Sequence, residues 1–107
     1  MYSPRCISTG AGLPDTSTAF QVNRLCGSGL QAIVSAIQLI KLGDCNSALA
    51  GGVEVMSRGP HIIPAQRWGA RMGDTAVIDM MTGALNDPFG GGHMGTVSYT
   101  HLTLPTN

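Results

Sequence analysis

At 107 residues the chain has room for one small domain and no more. Six basic residues balance six acidic ones and only 11% of residues are charged, which argues against a nucleic-acid surface or a membrane-steering patch. The 43% apolar content is broken up by polar and glycine-rich stretches, so no run reads as long enough to cross a bilayer. The opening MYSPRCISTG lacks the charged-then-apolar layout of a secretory signal. The expectation is a cytoplasmic protein with no nucleic-acid or membrane partner.

Residues 1–17 carry Pro4, Gly10, Gly12 and Pro14 and read as irregular, with at most a frayed helical turn. Residues 18–25, TAFQVNRL, read as a short strand with Phe20 and Val22 on one face. The period then changes. Leu30, Ile33, Val34, Ile37 and Ile40 follow helical spacing, and Ala32, Ala36 and Leu39 widen the same face. A helix this apolar is expected to be buried on most sides and to end at Lys41–Leu42–Gly43, with a cation in its last turn and glycine just beyond.

Residues 46–54, NSALAGGVE, read as strand material rich in small residues. Strand, helix and strand in about 35 residues make a βαβ unit, the usual mark of a parallel α/β sheet. The stretch 55–73 is a long irregular segment holding the lone tryptophan, a length that usually serves binding or assembly. Asp74 is the expected cap of a second amphipathic helix with Val77, Ile78, Met81, Ala84 and Leu85 on its apolar face, closed by Asn86, Asp87 and Pro88.

Fifteen glycines, about twice the average usage of roughly 7%, gather around 27–29, 51–52 and 90–92. Such clusters mark tight turns and close approaches of backbone or ligand. The three cysteines, Cys6, Cys26 and Cys45, include no C-x-x-C pair, so neither a disulfide framework nor a metal site is expected.

Cys26 stands where the strand pattern stops and the helix pattern begins. Catalytic groups of open α/β sheets gather at the carboxyl ends of strands, and a helix start favours thiolate over thiol. Gly27, Ser28 and Gly29 leave room for an acyl thioester, and backbone N–H groups of the turn are candidate oxyanion donors. The residues alone are equally compatible with a buried cysteine in a tight turn, since no base stands nearby. Ser28 lacks a G-x-S-x-G context and reads as a small turn residue.

The string VNRLCGSGLQA, Val22 to Ala32, resembles the active-site segment of thiolases. The resemblance continues through GGVEVMSRGP (51–60), RWGARMGD (67–74) and LNDPFGGGHMG (85–95), and so covers nearly all of 10–95. The nearest wording is that of bacterial acetyl-CoA acetyltransferases and broad-range β-ketothiolases; the related ketoacyl synthases lack VNRLCGSG. The resemblance implies a partial thiolase-like α/β fold with 1–96 as an incomplete N-terminal domain. It further implies an acyl-CoA C-acyltransferase that condenses acetyl-CoA with an acyl-CoA, or cleaves a 3-ketoacyl-CoA, through a cysteine-bound acyl group.

Residue by residue, Cys26 matches the family's acyl-accepting nucleophile, and its own N–H one oxyanion donor. His93 and Met94 match the H-M-G segment lining the pantetheine channel, and Leu85 falls on the same channel. Arg58, Arg67 and Arg71 read as solvated loop charges. No cofactor is implied, coenzyme A thioesters being substrates, and the family habit is a homo-oligomer, commonly a tetramer. A non-catalytic acyl-CoA-binding or lipid-carrier relative is the alternative, disfavoured by the intact cysteine motif.

Three departures stand out. Val55 replaces the family's usual serine, and Pro4 falls where a preceding helix should end. After Gly95–Thr96 the family pattern gives way to VSYTHLTLPTN, which resembles a translated sequencing adapter, so 97–107 is expected to be a non-native tail. The base histidine and second cysteine of thiolase chemistry belong to later parts of the family's chain, and the isolated segment is expected to be inactive.

Overall fold

The computed structural model describes residues 2–101, with side chains through Ser98. The chain forms two compact units, Met1–Glu54 and Val55–Asn107.

In the first unit, helix α1 spans Ser3–Gly10, where the sequence pattern suggested irregular chain interrupted at Pro4. Pro4 lies in the first turn, where a helix needs no N–H from it. Arg5 then ties the following loop back onto α1, its guanidinium donating to the carbonyls of Ser17 (2.6 Å) and Asp15 (2.9 Å).

Helix α2 spans Ser28–Leu42, two residues earlier at its start than the apolar periodicity alone indicates. It stops as expected. Gly43 takes left-handed backbone (φ 80°), its N–H bonds Ile40 O, and Asp44 N–H reaches back to Leu39 O, a glycine-terminated cap that satisfies the last carbonyls. Lys41 sits in the final turn, where the dipole favours a cation.

The expected burial of α2 is not found. No side chain among the described residues is buried. Much of the apolar face is open: Leu30 is 70% exposed, Ile33 47% and Ile37 48%, whereas Ala32, Ala36 and Leu39 of the same face are half-covered, as are Gln31 and Ser35. The two flanking strands of the expected βαβ unit also carry no ladder: 18–25 and 46–54 form no strand. A parallel strand exists only through neighbours on its edges, and the described residues supply none. The segment near Gly52 nonetheless passes against the start of α2, with the Cβ position of Gly52 only 3.3 Å from Gly29 Cα.

The eighteen residues Leu25–Leu42 reach a mean hydropathy of 1.4, enough by length and composition alone to cross a bilayer, where the sequence reading found no such run. The regular helix within that window has fifteen residues. At 1.5 Å per residue that is about 22 Å, short of a hydrocarbon core of about 30 Å.

The second unit is built on two small antiparallel pairs. Strand β1 (His61–Ile62) pairs with β2 (Ile78–Asp79), His61 opposite Asp79. Between them, and just before β1, the long irregular stretch makes single 3₁₀ turns at Met56–Arg58 and Gln66–Trp68. Helix α3 spans Met80–Leu85, shorter than expected, and Asp79 rather than Asp74 caps it: Asp79 Oδ1 accepts from Met81 N–H at 2.9 Å. Val77 and Ile78 fall outside the helix because Ile78 is drawn into the ladder with Ile62. Asn86 closes α3 as expected, its side-chain amide donating to Thr82 O at 2.8 Å.

Strand β3 (Asn86–Asp87) turns back as β4 (Gly92–His93), with Asn86 opposite His93 and Asp87 opposite Gly92. Helix α4, Met94–His101, follows directly. It runs across the 96/97 boundary where the sequence pattern changes, as helix rather than the strand that Val97 and Tyr99 would also permit. The remainder of the suspected tail, 102–107, lies outside the described residues.

Candidate active-site residues

The turn ahead of α2 is built by side chains that bond backbone. Asn23 Oδ1 accepts from Leu25 N–H (3.0 Å). Ser28 Oγ accepts from Arg24 N–H (2.8 Å) and donates to Leu25 O (2.6 Å). Gly27 N–H and Ser28 N–H bond the carbonyls of Arg24 and Leu25, both at 3.0 Å. Leu25 is held at φ 49°, the single non-glycine residue with positive φ among those described. Arg24 reaches along the first turn of α2 to Gln31 Oε1 (3.0 Å).

Cys26 lies inside this turn, exposed and unbridged. Of the three amides at the turn, those of Gly27 and Ser28 are engaged with backbone carbonyls, and that of Cys26 takes no part in those bonds. The general expectation of several backbone oxyanion donors therefore narrows to one, the N–H of Cys26 itself. A nucleophile and its own amide on an open turn can receive a carbonyl group at the sulfur with its oxygen toward the N–H.

The other three sequence-predicted site residues lie in the second unit. Leu85 ends α3, His93 closes β4 and Met94 opens α4. The Asn86–His93 pair brings them together: Leu85 directly precedes one member and Met94 directly follows the other. Leu85 is half-buried, His93 exposed and Met94 36% exposed. His93 Nδ1 accepts from Gly95 N–H at 3.0 Å, so the neutral ring carries its proton on Nε2, available as a donor.

The hairpin loop that sets this arrangement is held by Asp87, whose two carboxylate oxygens accept from Phe89 N–H (3.0 Å) and Gly91 N–H (2.9 Å). Gly90 and Gly92 take φ of 94° and 82°, conformations only glycine adopts at little cost. Among the described residues no group of three or more His, Cys, Asp or Glu gathers as a metal site.

The hydrogen-bonding parts played by Asn23 and Ser28 are not anticipated in the sequence pattern, where Ser28 reads only as a small turn residue. The available signal was local: Asn, Asp and Ser beside glycine bond nearby backbone in turns.

Residues 2–103 match the family described as thiolase, N-terminal domain. The chain belongs to the thiolase family. Among its relatives, the β-ketothiolase BktB of Cupriavidus necator is 56% identical over 98 residues, covering 92% of this chain and 25% of that one. An acetyl-CoA acetyltransferase of Syntrophomonas wolfei is 48% identical over 89 residues, covering 79% and 22%. The crystal structure of the Bacillus anthracis acetyl-CoA acetyltransferase superposes with a TM-score of 0.78 at 38% identity, covering 92% of this chain and 26% of that one. The fold is thus a partial α/β thiolase fold, as the family resemblance implied. This thiolase chain spans about a quarter of the length of the curated relatives it matches.

Proposed function

We propose that this thiolase segment carries the nucleophile of an acetyl-CoA C-acyltransferase, with Cys26 as the acyl acceptor. The observation that carries the reading is an exposed cysteine beside an unengaged amide, inside a segment whose relatives are named acetyl-CoA acetyltransferases and β-ketothiolase. Those names give no support to a non-catalytic carrier.

The Cys26 thiolate attacks the thioester carbonyl of an acyl-CoA, and the carbonyl π pair moves onto oxygen, facing the Cys26 N–H. Collapse of the tetrahedral adduct expels coenzyme A as its thiolate and leaves an acyl–Cys26 thioester. The enolate carbon of acetyl-CoA then attacks that thioester, forming the new C–C bond and releasing the Cys26 thiolate and a 3-ketoacyl-CoA. In reverse the same steps cleave a 3-ketoacyl-CoA. Proton transfers fall to the histidine and second cysteine of the family's later chain.

Leu85, His93 and Met94 are assigned to the pantetheine arm of the substrate. Leu85 and Met94 supply apolar surface, and His93 Nε2–H a donor for an amide carbonyl. Coenzyme A thioesters serve as substrates and no further cofactor is assigned. A cytoplasmic homo-oligomer, commonly a tetramer, is the assembly the family resemblance suggests. Residues 97–107 are assigned to a non-native tail on the change of wording to VSYTHLTLPTN after Thr96, although the family match itself runs on to residue 103; sequencing the genomic reading frame past Gly95 tests that point.

The test of the activity uses a complete enzyme, made by placing residues 10–95 of this chain in the Cupriavidus necator β-ketothiolase in place of the segment they match. Acetoacetyl-CoA thiolysis is expected, with a covalent acetyl group on Cys26 by mass spectrometry, and Cys26→Ala is expected to abolish both. Turnover unchanged in Cys26→Ala would sink the assignment.

A further inference from the structure

We propose that Ser28 is a positioning residue for acyl transfer, one that aims the Cys26 N–H at the developing oxyanion. The inference rests on the reading of Cys26 as acyl acceptor. Its physical basis is the planarity of one peptide group. The carbonyl of Leu25 and the N–H of Cys26 are opposite edges of the same trans peptide, so whatever fixes Leu25 C=O also fixes the direction of the Cys26 N–H. Leu25 C=O accepts two hydrogen bonds, both from Ser28: Oγ at 2.6 Å and backbone N–H at 3.0 Å.

The backbone at Leu25 needs that anchorage. At φ 49° a leucine stands in the left-handed region, where its Cβ crowds the carbonyl that follows, and L-residues other than Asn and Asp seldom stay there. Relaxation toward the right-handed or extended region would turn the Leu25–Cys26 peptide plane and carry the Cys26 N–H with it. Three side-chain bonds oppose this turn. Asn23 Oδ1 holds Leu25 N–H, Ser28 Oγ accepts from Arg24 N–H, and the same hydroxyl donates to Leu25 O. Ser28 thus uses its one donor and an acceptor site to clamp the chain on the N-terminal side of Cys26, from a seat in the first turn of α2. Ser28 Oγ is engaged in those two bonds and is assigned no contact with substrate. The strained Leu25 backbone is kept because the turn over-determines it.

The experiment uses the complete enzyme described above. Ser28→Ala is expected to lower kcat for thiolysis on the order of 10²-fold, the scale of a misaimed oxyanion donor, with KM unchanged. Ser28→Thr, which keeps the hydroxyl, is expected to restore kcat to within about threefold of the parent. Should Ser28→Ala not fold, Ser28→Gly removes the same hydroxyl at a helix start that tolerates glycine and is read in the same way. A loss confined to KM, kcat within about threefold in the variant lacking the hydroxyl, or a loss that threonine fails to restore would each overturn the proposal. Cys26→Ala, run alongside, separates the two ideas: if it is inactive while Ser28→Ala is unaffected, the nucleophile assignment stands and only the positioning role falls.

Discussion

Gly29 and Gly52 meet backbone to backbone, the Cβ position of Gly52 lying 3.3 Å from Gly29 Cα. The approach seats the 51–52 segment against the first turn of α2, three residues after Cys26. Neither partner has a side chain that can move aside, so an added methyl must displace one main chain. In the complete enzyme Gly52→Ala is expected to destabilise by about 1–3 kcal/mol, the usual cost of overpacking, and to lower kcat by shifting the helix start. Gly51 has open space at its Cβ position, and Gly51→Ala is expected to leave both unchanged. Thermal melts and initial rates on the two neighbours check the point, and equal effects would refute it.

Asp87 is the brace of the hairpin that carries His93. Its carboxylate receives the Phe89 and Gly91 amides, and a Cβ at Gly91 would collide with Asp87 Oδ2. Asp87→Ala removes two hydrogen bonds to a charged acceptor, an expected local loss of about 2–4 kcal/mol. Hydrogen exchange is expected to quicken at Phe89 and Gly91 but not at the α2 amides. Because Asn86 pairs with His93, KM for acyl-CoA is expected to rise.

Asp79 caps α3 by accepting from Met81 N–H. Asp79→Ala is expected to cost about 1 kcal/mol and Asp79→Ser far less, since serine also caps. A matched change at Asp74, which caps no helix, is expected to be neutral in the same denaturant titration.

The open face of α2 gives opposite expectations in two settings. In the isolated 107-residue chain Ile37, 48% exposed, is expected to contribute to dye binding and self-association, and Ile37→Gln to reduce both. In the complete enzyme the same substitution is expected to cost about 2–4 kcal/mol, the scale of a lost core isoleucine. The isolated chain is expected to show no thiolysis. Turnover of acetoacetyl-CoA by the isolated chain would contradict the view that it lacks part of its site.

Much of the local architecture is legible without coordinates. The run Leu30 to Ile40 marks α2 by period, and Lys41 with Gly43 marks its end, because helix periodicity and a left-handed glycine cap are properties of neighbouring residues alone. Asn86 as the stop of α3 follows from the same local logic. The strand-like stretches 18–25 and 46–54 form no strand, since a ladder depends on partners elsewhere in the chain. The cap of α3 moved from Asp74 to Asp79 for a related reason: Ile78 pairs with Ile62, and that long-range pairing overrides the helical period.

For the site, the sequence by itself determined that Cys26 stands just ahead of a helix, because the apolar period that begins at Leu30 marks that helix locally; the segment before it, which reads as a strand, folds as a turn. Only the tertiary structure decided how the turn is held. It set the left-handed backbone of Leu25, bound both ends of the turn through Ser28 Oγ, and left the Cys26 amide outside those bonds. Residue types fix which hydrogen bonds are possible, and the folded geometry selects which of them form together.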